Sequence, residues 1–289
     1  MNWVNAIVQG ILVGGLYALY ATGLSIVFGV MRLVNLAHGD LAVAFAFFSS
    51  TIVLATGWYP FVTLLVLLPA AFLTGVVLQR VAFDRLVGVD PAYQVVATFG
   101  LAVVIANFLL QRYSATPRAL DIGQLGTRAI EITGDVAVGW FPLLRFVVAV
   151  AVLGLLAAFL GGTKLGRAFR ATSDDPEAAR LMGINNRTIY AVATGLAVTT
   201  VALAGVFNGA QTNFSAGDGA LLLIYAFEAV IIGGLGSLWG TLAGGIILGV
   251  AQTIGAEIDP GWKQLAGHLV FLAVLIIRPT GLFGRQEAA

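Results

Sequence analysis

The sequence contains no cysteine, which excludes disulfides, thiolate nucleophiles and Cys-based metal centres. Charge is also scarce. Lys, Arg, Asp and Glu make up 10% of 289 residues, where a soluble globular domain carries roughly 25%. Histidine occurs only as His38 and His268, far apart in sequence, and no His/Glu spacing suits a metal. No Ser/His/Asp arrangement and no G-x-x-x-x-G-K-[ST] phosphate loop is present. Such a chain is expected to be no enzyme and to bind no cofactor of its own. A net charge of +1 leaves nucleic acid without a basic surface to meet.

What remains is hydrophobic: 59% of residues. A membrane span needs about 20 mostly apolar residues. Candidate spans are 5–30, 40–57, 60–82, 94–112, 141–163, 189–211, 221–235, 238–256 and 262–278. Their lengths suit helices, and none alternates like a lipid-facing barrel strand. The expectation is an all-α, polytopic transmembrane helical bundle of about 8–9 segments, with residues 1–289 as a single domain. "MNWVNAIVQG" has no basic n-region and reads as the uncleaved start of the first span. "GGLGSLWG" (233–240) divides an apolar run into two short halves, two tilted crossings or one crossing with a re-entrant half.

The connecting charges set an orientation. With the N-terminus outside and nine crossings, the inner side receives Arg32, Arg80, Arg85, Lys164, Arg167, Arg170, Arg180, Arg187, Arg278 and Arg285, ten of fifteen Lys and Arg. Arg112, Arg118, Arg128, Arg145 and Lys263 fall outside or near the outer surface. The positive-inside rule favours this arrangement, with a cytoplasmic C-terminus, an outer loop at 113–140 and an inner one at 164–188. In the outer loop "RAIEITGDVAV" (128–138) alternates around Thr-Gly-Asp, as a small β-hairpin does, or as a polar loop does by chance. Glycines recur at four-residue spacing, Gly10 with Gly14, Gly240 with Gly244 and Gly245 with Gly249, which lets helix backbones approach closely.

The inner loop contains the most polar stretch, "TSDDPEAARLMGINN" (172–186). Asp175 suits a helix N-cap and Pro176 the first helical position. Asp174, Asp175 and Glu177 oppose the positive end of the helix dipole. Ala178, Leu181 and Met182 share one face, and Gly183 can take the left-handed conformation that ends the helix. Ala179 and Arg180 complete it, and Asn186 beyond the stop reads as a bystander. A helix of seven residues is too short to stand alone. Its apolar face is covered either by the chain's own helix ends or by a groove on a partner.

"GRAFRATSDDPEAARLMGIN" (166–185) resembles the coupling loop of ABC importer permeases, in which a short Ala-rich helix docks into the ATPase subunit. "VNLAHGDL" (34–41), "ATFGLAVVIANFL" (97–109), "AFEAVIIGGLGSLWGTLAGGIILGV" (226–250) and "RPTGLFG" (278–284) resemble the branched-chain amino-acid, Liv-type, permeases. The matches run in family order over most of the chain. The resemblance implies a second, related permease subunit, two ATPases that bind ATP and Mg, an external substrate-binding protein, and a place in the inner membrane. It implies that 174–183 couples to the ATPase. Family members often carry Lys where Tyr225 stands, a departure that bears on substrate or partner choice.

Ionisable groups inside a span are functional hypotheses by default. Glu228 is the clearest, set in an apolar segment just before Gly233, Gly234 and Gly236. It lines the pathway, meets a partner permease, or is a structural carboxylate bonded to a neighbouring helix. Asn35, His38 and Asp40 fall at an inner helix boundary, as a gate or as helix caps. His268 reads as a packing histidine. The expected function is translocation of branched-chain or related amino acids, with urea, amides or small carboxylates as alternatives. A secondary transporter using Glu228 as proton carrier is the competing class, and a non-transporting scaffold a third.

Overall fold

The computed structural model describes residues 3–133 and 136–284. Gly134, Asp135 and Arg285, which figured in the hairpin turn and the charge count, lie outside the described residues. Twelve α-helices are described: α1 (Trp3–Met31), α2 (His38–Thr56), α3 (Leu64–Val81), α4 (Pro91–Tyr113), α5 (Gln124–Thr127), α6 (Trp140–Gly162), α7 (Lys164–Asp174), α8 (Pro176–Leu181), α9 (Asn186–Gln211), α10 (Gly219–Gly233), α11 (Leu238–Ile258) and α12 (Trp262–Ile277). Strands β1 (Ala129–Thr133) and β2 (Val136–Gly139) pair antiparallel, so the alternating stretch is a hairpin. Among the described residues the structure is otherwise helical, and a helix bonds its backbone internally, as lipid requires where no water is available.

Among the described residues, seven helical stretches are long and apolar enough to cross a membrane: Trp3–Met31, His38–Thr56, Pro60–Arg85, Pro91–Tyr113, Trp140–Gly162, Asn186–Gln211 and Leu238–Ile258. Gly219–Gly233 and Trp262–Ile277 are apolar but shorter. At about 1.5 Å per residue, α10 is only about 22 Å long.

The chain forms two compact units. Unit 1 comprises residues 1–22, 121–153 and 224–289. Its glycine pairs place helix backbones in contact. A Cβ at Gly249 would come within 2.3 Å of the Gly10 carbonyl oxygen, and one at Gly14 within 2.5 Å of Ile246 Cα. Gly244 meets Ala229 and Gly240 meets Gly233 in the same way, so all three four-residue pairs lie at helix crossings. Small residues do this where lipid supplies no hydrophobic drive.

Unit 2 comprises residues 23–120 and 154–223. Here α9 is the centre, with seventeen buried residues along its length. Gly75 of α3 rests on the Thr194 backbone, and Gly205 of α9 on the Ala42 backbone of α2. At the far end of α9, Phe47 stacks on Tyr113 at 4.6 Å and meets Phe214 edge-on at 4.9 Å. The Arg118 guanidinium lies over both the Phe47 and Tyr113 rings.

Candidate functional site

In unit 2 the polar stretch folds as its residues dictate. The Asp175 side chain accepts from the amides of Glu177 at 2.9 Å and Ala178 at 3.0 Å, and Pro176 opens α8. At the other end the Gly183 amide donates to Arg180 and the Ile184 amide to Ala179, both at 3.0 Å, with Gly183 at φ +84°. These two bonds define a Schellman stop. Both ends of a helix of six residues are therefore satisfied locally.

Ala179 turns inward and is buried. Ala178 and Arg180 are exposed. Leu181 and Met182 are 86% and 83% exposed, an apolar pair that the chain's own helix ends leave uncovered. Asp174 and Glu177 are also exposed at its N-terminal end. The stretch before it, expected as loop, is the amphipathic helix α7, anchored by buried Phe169 and by a bond from Ser173 Oγ to the Gly29 carbonyl of α1 at 2.5 Å. Asn186 is no bystander. Its Nδ2 donates to the Pro176 carbonyl at 2.7 Å and its Oδ1 accepts from Thr172 Oγ1 at 3.3 Å, so it holds α8 against α7.

The segment that carries Asn35, His38 and Asp40 sits away from the ends of α1 and α9. A Cβ at Gly23 would touch both His38 Cε1 and Thr200 Oγ1, which places His38 level with Thr200. Thr200 is fourteen residues beyond Asn186, the start of α9; that is about 21 Å along the helix. The non-helical segment 32–37 thus enters well inside the unit before α2 begins. Asn35 Oδ1 accepts from the Ala37 amide at 3.0 Å, and Asp40 sits in the first turn of α2. The Asp40 carboxylate lies against Gly219, the first residue of α10, and Gly39 lies against the Gly219 carbonyl. Two helix N-termini therefore meet inside unit 2 beside one buried carboxylate. A negative group there is favoured by both helix dipoles.

Unit 1 contains the other polar cluster. Glu228 on α10, 3% exposed, bonds through Oε1 to Nδ1 of His268 on α12. His268 is thus the partner of the intramembrane acid, where sequence reasoning read a packing residue. The Tyr17 hydroxyl donates to Gln252 Oε1 at 2.5 Å, and its ring lies 5.0 Å from that of Tyr225. The Tyr225 hydroxyl accepts from Gln264 Nε2 at 3.3 Å. At the position where the family resemblance led us to expect a cation, Tyr225 is an aromatic held by a hydrogen bond and a ring contact. Arg145 on α6 is 1% exposed, with Nη2 donating to the Leu12 carbonyl at 3.3 Å. Its position inside the apolar run 141–163 was the available signal.

Gly233, Gly234 and Gly236 form the α10–α11 turn, the latter two at φ +101° and +81°. "RPTGLFG" lies along this turn: the Leu282 amide donates to the Ile232 carbonyl at 2.9 Å and the Phe283 amide to the Gly233 carbonyl at 3.0 Å. Two separate sequence matches are thus one structural junction. No group of His, Cys, Asp or Glu that could hold a metal occurs among the described residues.

Residues 6–278 match the family model described as "Branched-chain amino acid transport system / permease component". This chain belongs to that family. The permease is 30% identical to the high-affinity branched-chain amino acid transport system permease protein BraD of Pseudomonas aeruginosa, over 99% of this chain and 97% of the relative. It is 27% identical to the corresponding LivH protein of Escherichia coli K12, over 99% and 97%. The probable LivH protein of Methanocaldococcus jannaschii is 25% identical, over 95% and 90%. No solved structure matches the permease. It is a multi-pass membrane transport protein, and its relatives are permease components and not enzymes.

Proposed function

We propose that the permease is one of two membrane subunits of an ATP-binding cassette importer for branched-chain or related amino acids, and that α8 is its ATPase-docking element. The observation that carries this reading is the apolar pair Leu181 and Met182, exposed on a helix whose ends are both capped. A six-residue helix is fixed in shape before any partner arrives, so little ordering entropy opposes docking. Burying either side chain in a groove contributes about 1.5–3 kcal/mol.

In this reading the chain acts as a single domain in the inner membrane, N-terminus outside, with nine crossings and the C-terminus cytoplasmic. Asp84 pairs with Arg187, which groups the 80–85 turn with the 164–188 segment at one end of unit 2, in keeping with the charge asymmetry. Partner ATPases bind ATP and Mg, a related permease completes the pathway, and an external protein delivers substrate. Asn35, His38 and Asp40 in unit 2, and Glu228 with the Gly233–Gly234–Gly236 turn in unit 1, serve as pathway or gate elements. Interrupted helices of this kind are where transporters place their substrate contacts.

The test is Ala178→Asp, which sets an unpaired charge beside Leu181 and Met182, where docking would have to desolvate it. The variant should reach the membrane at normal abundance but lose co-purifying ATPases and uptake together. Retention of both would remove the docking role.

The Glu228–His268 pair supports a second reading, a secondary transporter with this pair as proton carrier. Uptake would then collapse with the proton gradient while ATP is maintained, whereas the importer reading requires it to persist.

A further inference from the structure

The segment that holds α8 does not end at α8. Asn186, the first residue of α9, joins three elements through one amide: Nδ2 to the Pro176 carbonyl of α8 and Oδ1 to Thr172 of α7. The next residue, Arg187, places Nε 3.6 Å from Asp84 Oδ2 in the 3-10 turn Phe83–Arg85 that follows α3. Asp84 is largely buried, and its Oδ1 accepts from Gln79 Nε2 at 2.9 Å. Gln79, fully buried on α3, accepts in turn from Thr194 Oγ1 of α9 at 2.6 Å. The bonds form a closed circuit from α9 through Asp84 to α3 and back to α9 two turns further on.

Just above that circuit the two helices touch backbone to backbone. A Cβ at Gly75 would fall 2.5 Å from the Thr194 carbonyl oxygen, and one at Gly195 2.7 Å from the Phe72 ring. Close-packed interfaces do not deform continuously; they move as bodies or re-pack. A displacement of α8 is therefore not absorbed by a slack loop. Pro176 carries it to Asn186, and α9 and α3 take it up together.

We propose that Asn186 and Asp84 are positioning residues that pass movement of α8 into the α3–α9 pair, and so set how much transport each ATP yields. The inference rests on the reading that α8 docks an ATPase. Neither residue is part of the exposed apolar pair: Asp84 is largely buried, and the Asn186 amide is turned to Pro176 and Thr172. Geometry distinguishes conservative from disruptive changes. Asp84→Asn keeps an oxygen for Gln79 but loses the charge facing Arg187; Asp84→Ala loses both. Asn186→Asp loses the donor to Pro176 and sets a carboxylate against its carbonyl, while Asn186→Ala removes both bonds.

The test uses the full importer, purified with its own ATPases and external binding protein and placed in proteoliposomes. ATP hydrolysis and substrate uptake are measured in the same vesicles. For Asn186→Ala and Asp84→Ala the ATPases should stay attached and continue to hydrolyse, while ATP consumed per substrate moved rises about five-fold or more. Asp84→Asn should fall between Asp84→Ala and the natural chain. A purely structural role would lower abundance or thermal stability and reduce hydrolysis and uptake in proportion. An unchanged ratio in both alanine variants, or detachment of the ATPases from them, overturns the proposal while leaving the docking role of α8 intact. If the natural permease holds no ATPase at all, the docking reading and this relay fall together.

Discussion

Nδ1 of His268 on α12 and Oε1 of Glu228 on α10 are bonded to each other, forty residues apart in sequence. The acid is nearly buried, and the histidine side chain is 40% exposed. The second carboxylate oxygen, Glu228 Oε2, has no partner among the described residues, and neither has the buried Gln252 Nε2.

Glu228→Ala should lower uptake more than membrane abundance, since the span becomes easier to insert once the acid is gone. His268→Ala leaves the acid buried without its partner and should cost about 1–3 kcal/mol of stability. The double variant Glu228→Ala/His268→Ala should be more stable than His268→Ala alone, a non-additivity that a double-mutant cycle of thermal stabilities in detergent measures. Normal uptake by Glu228→Ala would reduce the pair to packing.

The glycine crossings of unit 1 give a sharper stability contrast. Gly249→Val drives a branched side chain into the Gly10 carbonyl and should cost about 1–3 kcal/mol or abolish folded yield. Gly154→Val on α6 meets nothing within 4 Å and should be nearly neutral. Monodispersity and melting temperature of the two variants settle it. Equal behaviour would remove close helix approach as the reason for the four-residue spacing.

Topology is open to a background-free test because the chain has no cysteine. Thr172 is unsuitable as a probe, being buried against Asn186. Lys164 and Thr127 are both exposed. Thr127→Cys should react with an impermeant thiol reagent on intact cells, and Lys164→Cys should react only after the membrane is opened. The reverse pattern would overturn the orientation.

The C-terminal segment closes the α10–α11 turn, so it should matter for stability. Gly281 has φ +78° and lies 2.5 Å, as a virtual Cβ, from Gly234 Cα. Gly281→Val is strained on both counts. It should lower thermal stability by more than a Leu282→Val control, read in the same melting assay.

Much of this was legible in the sequence, for identifiable reasons. Apolar runs of span length marked the helices within a few residues, because in lipid length and hydropathy leave little choice. Asp175, Pro176 and Gly183 specified both ends of α8 by local chemistry alone. The crossings of Gly10 and Gly14 with Gly245 and Gly249 were visible as spacing but not as partners. What stayed hidden was tertiary pairing: Glu228 with His268, Asp84 with Arg187, Asn186 with Pro176. One-dimensional pattern does not say which distant polar group completes a buried one. Depth was hidden for the same reason. His38 begins a helix, and only its neighbour Thr200 shows that it does so well inside unit 2.

The central claim is that the exposed pair on α8 meets an ATPase. The most direct measurement is a photoreactive amino acid placed at Leu181, activated in native membranes, with the captured products identified by mass spectrometry. The account predicts one dominant protein product, an ATPase subunit, whose yield falls when Ala178→Asp is added. Capture of lipid or solvent adducts alone, with no ATPase subunit, would contradict it.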